Sequence, residues 1–159
     1  MQAHVSVSPE RSASNTGFLT LRAAGRHCAI PVAAVIEVLR PLPVEPLAGV
    51  PSFLLGLALV RGQPVPVVDL GGVLDQQLRP ASRWLHLRLE QRRLALAVEA
   101  VGRVEQLAEV DWQPLPCVFD GEATAAVTQL AERDRYLLTQ LNVMRLLSEP
   151  LWQRIESTQ

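Results

Sequence analysis

Apolar and polar positions along this chain alternate in short bursts, each closed by turn-forming residues. Residues 18–22 (Phe-Leu-Thr-Leu-Arg) have strand character, residues 23–26 offer a turn, and residues 27–30 answer as a second strand that Pro31 closes. Apolar residues at 32, 35, 36 and 38, with Glu37 among them, fit one helical turn entering a strand. Pro41, Pro43 and Pro46 then forbid a central strand or a helix interior, leaving Val44 at most on an edge. Residues 51–54 predict a helical turn stopped by Gly56. The apolar runs 57–60 and 65–70 flank the short turn Arg61-Gly62-Gln63-Pro64 and predict a hairpin. Val73 and Leu74 fall in a short helical turn, and residues 76–82 in a polar loop.

The second half repeats the pattern. Residues 83–90 alternate strictly, with Trp84, His86, Arg88 and Glu90 on one side and Leu85, Leu87 and Leu89 on the other, so the first set is expected on a polar face. Gln91-Arg92 turns the chain into a strand over 93–98, and residues 101–110 form another, with Gly102 permitting a bend or bulge. Residues 111–121, with Pro114 and Pro116, read as loop. Residues 125–130 and 136–141 predict two more strands around a turn at Glu132-Arg133-Asp134. Asn142 is placed to cap a short helix through Leu147, and Pro150 suits the first turn of a second one. Residues 1–16 read as a polar, Ser-rich tail, 17–148 as the ordered domain and 149–159 as a C-terminal helical extension. The class is mainly β, and periodicity alone leaves barrels and a sandwich both open.

Composition narrows the function. The chain has 159 residues, 48% of them apolar, enough for a core that needs no disulfide or metal staple. Net charge is −1, so no basic excess exists to neutralise the phosphates of a nucleic acid. All 15 basic residues are Arg, which removes Schiff-base and P-loop lysine chemistry. Cys28 and Cys117 stand far apart without a CxxC partner and read as one buried thiol each. The N-terminus has no apolar signal-peptide segment, and the longest apolar run, residues 53–60, is too short to span a bilayer. A cytoplasmic protein is expected, with no direct membrane insertion.

Candidate chemistry is sparse. His4, His27 and His86 show no metal-ligand spacing, and exposed imidazoles are expected. Ser52, Ser82 and Ser148 lie outside any GxSxG motif, and Gly71-Gly72 reads as a turn after a strand. Asp69 and Glu99 end apolar strands and are expected to accept backbone N–H groups or to pair with a turn arginine such as Arg61 or Arg103. No catalytic residue, cofactor or metal is expected.

One segment is specific. Residues 51–70 contain a Pro-x-aromatic turn, Gly56, an apolar strand, Arg61-Gly62 and then Val65-Pro66-Val67-Val68-Asp69-Leu70. This segment resembles the signature of the CheW-like family of chemotaxis coupling proteins. Ile30-Pro31-Val32, Val35-Ile36-Glu37-Val38, Val98-Glu99-Ala100-Val101 and residues 136–147 are similar to flanking parts of that family, in the same order. Leu59, Ala95, Glu99 and Gln140 depart from its usual residues, and residues 118–131 fit it poorly.

The resemblance implies two small five-stranded SH3-like β-barrels sharing an apolar seam, with short helical turns and a C-terminal helix. It implies a non-catalytic adaptor that couples the cytoplasmic tips of methyl-accepting chemoreceptors to the regulatory domain of a CheA-type histidine kinase. An accessory scaffold for array, polar-localisation or pilus-motility components is the alternative, and a small ligand-binding barrel or enzyme the third reading. The partner-binding residues it implies are Val35, Glu37, Gly56, Arg61 and Gly62. Glu37 is expected as an exposed carboxylate beside an apolar patch that includes Val35, and as the nearest internal partner for Arg61. Val35, Leu55, Val67, Leu96, Val98 and Leu141 are expected in apolar layers in or between the barrels.

Overall fold

The computed structural model describes residues 15–108, 112–114, 127–133 and 136–158. They form eleven strands: β1 (Asn15–Ala23), β2 (Arg26–Pro31), β3 (Val35–Leu39), β4 (Leu54–Val60), β5 (Gln63–Asp69), β6 (Arg83–Leu89), β7 (Arg92–Val98), β8 (Ala100–Ala108), β9 (Trp112–Pro114), β10 (Val127–Arg133) and β11 (Tyr136–Leu141). Two α-helices join them, α1 (Leu70–Asp75) and α2 (Glu149–Thr158), with 3-10 turns at Val32–Ala34 and Val143–Arg145. The strands make a six-stranded sheet in the order β8-β1-β2-β11-β10-β9 and a five-stranded sheet in the order β3-β6-β7-β5-β4. The chain thus opens the first sheet, builds the whole second sheet from β3 to β7, and returns to complete the first. The strand beyond the expected five in the first sheet is β9, which pairs with β10.

Two-residue turns set the hairpin registers. Ala23 pairs with Arg26, Val60 with Gln63 and Leu89 with Arg92. The first turn residues, Ala24, Arg61 and Glu90, all have positive φ, which matches the right-handed twist of the strands they join. The bulge expected near Gly102 is present: Leu19 opposes Val104 while Leu21 opposes Val101.

Strand periodicity sorts side chains into three cores. On β6, Leu85, Leu87 and Leu89 face a large shared cluster, and on β7 Leu94, Leu96 and Val98 do the same. Leu19 and Leu21 of β1, Cys28 and Ile30 of β2, and Leu141 of β11 meet them from the other sheet. This is the seam. The alternate residues fill each sheet's own interior. Ala58, Val60, Val65, Val67, Trp84, Ala95 and Ala97 lie inside the second sheet. Phe18, Ala29, Leu107, Trp112, Ala131 and Leu138 lie inside the first. The residues that share an interior come from opposite edges of the strand order, such as Leu107 of β8 and Trp112 of β9, so each sheet is curled around its own core. Leucines dominate the seam, while each interior mixes alanines with one tryptophan, Trp112 in the first sheet and Trp84 in the second.

The expected apolar layers hold: Leu96, Val98 and Leu141 are buried in the seam, Val67 is buried inside the second sheet, and Val35 and Leu55 pack half-buried against these clusters. The C-terminal helix is built into the seam. Trp152 and Ile155 are buried there. Arg92 lies over the Trp152 ring and binds Glu149 and Glu156. Arg154 donates to the carbonyls of Gly49 and Ala48.

Several local expectations are corrected. Residues 51–54 do form a single turn, closed by the Leu54 N–H on the Pro51 carbonyl at 3.0 Å, but Gly56 does not stop it; Leu54 already begins β4, and Gly56 lies within that strand. Glu45 bridges to Leu57 there, with N···O distances of 2.7 and 2.8 Å, and a Cβ on Gly56 would collide with the Glu45 carbonyl. The strand expected to open at 57 therefore begins earlier because close backbone approach, not helix termination, is what Gly56 supplies. Part of the loop expected over 111–121 is the edge strand β9, whose Pro114 suits an edge. β10 runs through the expected turn, since Glu132 pairs with Leu137 and Arg133 with Tyr136. β1 starts at Asn15, inside the expected tail. The expectations for His4 and Cys117 lie outside the described residues; Cys28 is a fully buried free thiol, pushed up to about 12 by burial.

Candidate functional site

The site is built on the β4–β5 turn. Arg61 (φ 54°) and Gly62 (φ 79°) are its two central residues, and both φ values are positive, as this turn requires. A side chain at Gly62 would meet open space, so the turn selects glycine through backbone conformation and not through crowding. Arg61 occupies a backbone region costly for a residue with a Cβ. Its side chain is 71% exposed.

The Arg61 guanidinium reaches across the mouth of the second sheet to β3, the opposite edge of the strand order. Nε donates to Glu37 Oε2 at 3.1 Å and Nη2 to Oε1 at 2.5 Å. This two-point fork is geometry that arginine provides and lysine does not. It also ties the two edges of the sheet together. The expected internal pairing of Arg61 with Glu37 is therefore present.

Glu37 itself is not the exposed carboxylate expected. Its side chain is only 18% exposed. β3 pairs with β6 so that Glu37 lies opposite His86, and the His86 Nδ1 sits 3.0 Å from Glu37 Oε2. The Arg61 hydrogen bonds, then that from His86, hold the Glu37 carboxyl at about 2, against the opposing effect of desolvation. The same pairing raises Arg61 further above its ordinary range. What meets solvent is the outer side of the guanidinium. Around it, Leu59 stands 69% exposed on β4, and Ile36 and Val38 point outward from β3. Val35 is half-buried against the seam. The structure thus joins Glu37, Arg61 and Gly62 at one turn, while Gly56 lies farther along β4, where it admits the Glu45 bridge.

His86 is the residue that sequence reading misplaced. It is wholly buried, not an exposed imidazole on a polar face. Trp84 on the same face hints at burial, but Arg88 on that face is exposed, so alternation by itself leaves the position of His86 undecided. His27 stacks on Tyr136 with ring centroids 3.9 Å apart.

The strand-end carboxylates serve the backbone. Asp69 caps α1 by accepting the Gly72 N–H at 3.2 Å, and burial raises its pKa. Glu99 accepts the Ala24 N–H at 2.9 Å, and the nearby arginine is Arg79, not the expected Arg61 or Arg103. Among the described residues no three His, Cys, Asp or Glu side chains gather as a metal site would need, and no helix is long and apolar enough to cross a membrane.

Fold and site together define a two-sheet β module whose candidate chemistry is ion pairing and apolar contact at its surface. The chain belongs to the CheW-like domain family, whose model matches residues 17–151. It is 26% identical to the chemotaxis protein CheW of Rhizobium meliloti (strain 1021) over 102 residues, 62% of this chain and 66% of that protein. It is 36% identical to the protein PilI of Pseudomonas aeruginosa over 89 residues, 56% of this chain and 44% of that protein. The chain thus aligns with just under two thirds of one curated relative and under half of the other. The crystal structure of the scaffolding protein TtCheW from Thermoanaerobacter tengcongensis matches 84% of this chain and 88% of its own, with a TM-score of 0.74 at 22% identity, a likeness of fold.

Proposed function

We propose that this chain is a non-catalytic signal-transduction adaptor that couples chemoreceptor tips to the regulatory domain of a CheA-type histidine kinase. The carrying observation is the Arg61 turn: an exposed guanidinium, pre-aimed by Glu37 and flanked by exposed Leu59, in a chain of the CheW-like family. An arginine already held in one geometry loses little side-chain entropy when a partner's carboxylate or carbonyl meets it. In this reading Val35, Glu37, Gly56, Arg61 and Gly62 form or support the partner-binding region. The protein works in the cytoplasm, reaching the inner membrane only through receptor arrays, and binds neither nucleic acid nor lipid.

A second reading has an observation of its own. The protein PilI is the more similar of the two curated relatives over the aligned segment, at 36% identity. That favours an accessory scaffold in a pilus-motility system. One experiment separates them: co-sedimentation of the purified chain with receptor signalling-domain assemblies and the cognate CheA-type kinase. Joint sedimentation of kinase and chain, lost on Arg61→His in a protein that still folds, supports the coupling reading. Kinase binding without receptor dependence supports the scaffold. Normal kinase recruitment by Arg61→His removes Arg61 from the interface.

A further inference from the structure

The Glu37–Arg61 pair rests on a third group that plays no part in the proposed docking surface. His86 is fully buried on β6, on the same face as Trp84, with Glu37 of β3 opposite it on one side and Ala95 of β7 on the other. Directly opposed residues in a sheet share a face, so Glu37 and His86 both project toward the interior of the second sheet. A carboxylate only accepts, so the hydrogen between His86 Nδ1 and Glu37 Oε2 belongs to the imidazole. The other ring nitrogen, Nε2, is buried with no hydrogen-bond partner among the described residues. A buried imidazole with an orphaned nitrogen is a poor way to fill an apolar space; leucine would fill it without that penalty. What His86 supplies and leucine cannot is the Nδ1–H bond to Glu37.

The geometry of the carboxylate makes that bond consequential. Oε2 takes both the His86 N–H and the Arg61 Nε–H, while Oε1 takes Arg61 Nη2. Arg61 alone would leave Glu37 free to swing with it, because the arginine stands on an exposed turn. The His86 bond comes from a rigid central strand and fixes the carboxylate plane, and the fork geometry then fixes the guanidinium plane.

We infer that His86 is a positioning residue: it holds the Glu37 carboxylate, and through it the outward-facing guanidinium of Arg61, in the orientation that a partner meets. The inference rests on the functional reading only for the word partner; the positioning itself is a property of the isolated chain.

The test uses His86→Leu, which keeps apolar volume but removes the donor, and His86→Asn, whose amide N–H stands near the place of Nδ1–H. In the full chain, NMR reads exchange of the Arg61 Nε–H with water. His86→Leu should lose about tenfold of that protection, the factor expected when one hydrogen bond to a charged group is lost, and His86→Asn should restore most of it. The melting temperature of His86→Leu should be equal to or above that of the wild type. Affinity for the cognate kinase's regulatory domain, titrated by calorimetry, should fall with the Arg61 protection and return in His86→Asn. Unchanged Arg61 protection in His86→Leu overturns the inference, as does equal loss in both variants, which would mark a packing role. The wild-type imidazole gives an independent reading by nitrogen-15 NMR: a ring protonated at Nε2 and bare at Nδ1 also overturns it. A wild-type chain that does not bind the kinase domain removes the functional reading, while the Arg61 protection still decides the positioning.

Discussion

At the scale of single residues, the Arg61–Glu37–His86 cluster has a pH signature of definite sign. Glu37 has its folded pKa depressed to about 2 from an ordinary 4.5. Its contribution to stability is therefore fully present above the unfolded value and is lost as pH falls from about 4.5 toward about 2. Arg61 stays charged throughout that range and adds no titration of its own. Glu37→Gln should thus be less stable than the wild type at neutral pH, and the gap should close as the pH is lowered to about 2; urea unfolding across that pH series checks it. A constant gap would place the carboxylate's role in packing. Glu37→Ala should lower the melting temperature, because removal of the carboxylate strips the buried His86 Nδ1–H of its acceptor. Of this cluster, Arg61 and Glu37 were legible from the motifs around them. His86 was not, because alternation assigns two faces and does not say which is buried.

At the scale of elements, the side chains of β6 and β7 separate two environments. Leu96 is fully buried in the seam, and its truncation to Ala should cost about 2–5 kcal/mol. Ala95, one residue away, lies inside the curl of the second sheet, where Ala95→Leu should cost about 1–3 kcal/mol by overpacking. Both are checked by denaturant midpoints. On β4, Gly56→Ala should break the Glu45–Leu57 bridge, since the new Cβ would collide with the Glu45 carbonyl. Hydrogen exchange should then quicken at the Glu45 and Leu57 amides first. The hairpins were readable because their turns are short and their strands alternate. β9 was not, because Trp112–Pro114 is too short to show a period and takes its hydrogen bonds from β10, which is distant in sequence. The start of β4 at Leu54 was missed for a related reason: its partners, Val68 opposite Leu54 and Glu45 opposite Leu57, come from outside the local window.

At the scale of the whole molecule, the seam makes the two sheets one cooperative unit. Each of the three tryptophans reports a different core: Trp112 the first sheet's interior, Trp84 the second's, and Trp152 the seam. Unfolding curves from single-tryptophan variants should share one midpoint, because neither sheet keeps its buried seam face once the other unfolds. Separated midpoints for Trp84 and Trp112 would show two independent units. Removal of residues 149–159 should destabilise both sheets together, since Trp152 and Ile155 leave the seam, each burial being worth about 1.5–3 kcal/mol. The same truncation leaves Arg92 without Glu149 and Glu156.

The sequence by itself determined that this chain is mainly β, where most of its strands and hairpin turns lie, and which turn carries the arginine. Those properties are local: side-chain alternation, proline and glycine placement, and a motif contained within twenty positions, residues 51–70. Tertiary structure alone decided which face of each strand meets the seam, that β11 enters the first sheet beside β2 and runs parallel to it, and that a buried histidine stands behind the exposed ion pair. Each of these is set by partners brought from afar in the chain. Burial on both faces of a curled sheet turns a position that alternation marks as polar into an interior one.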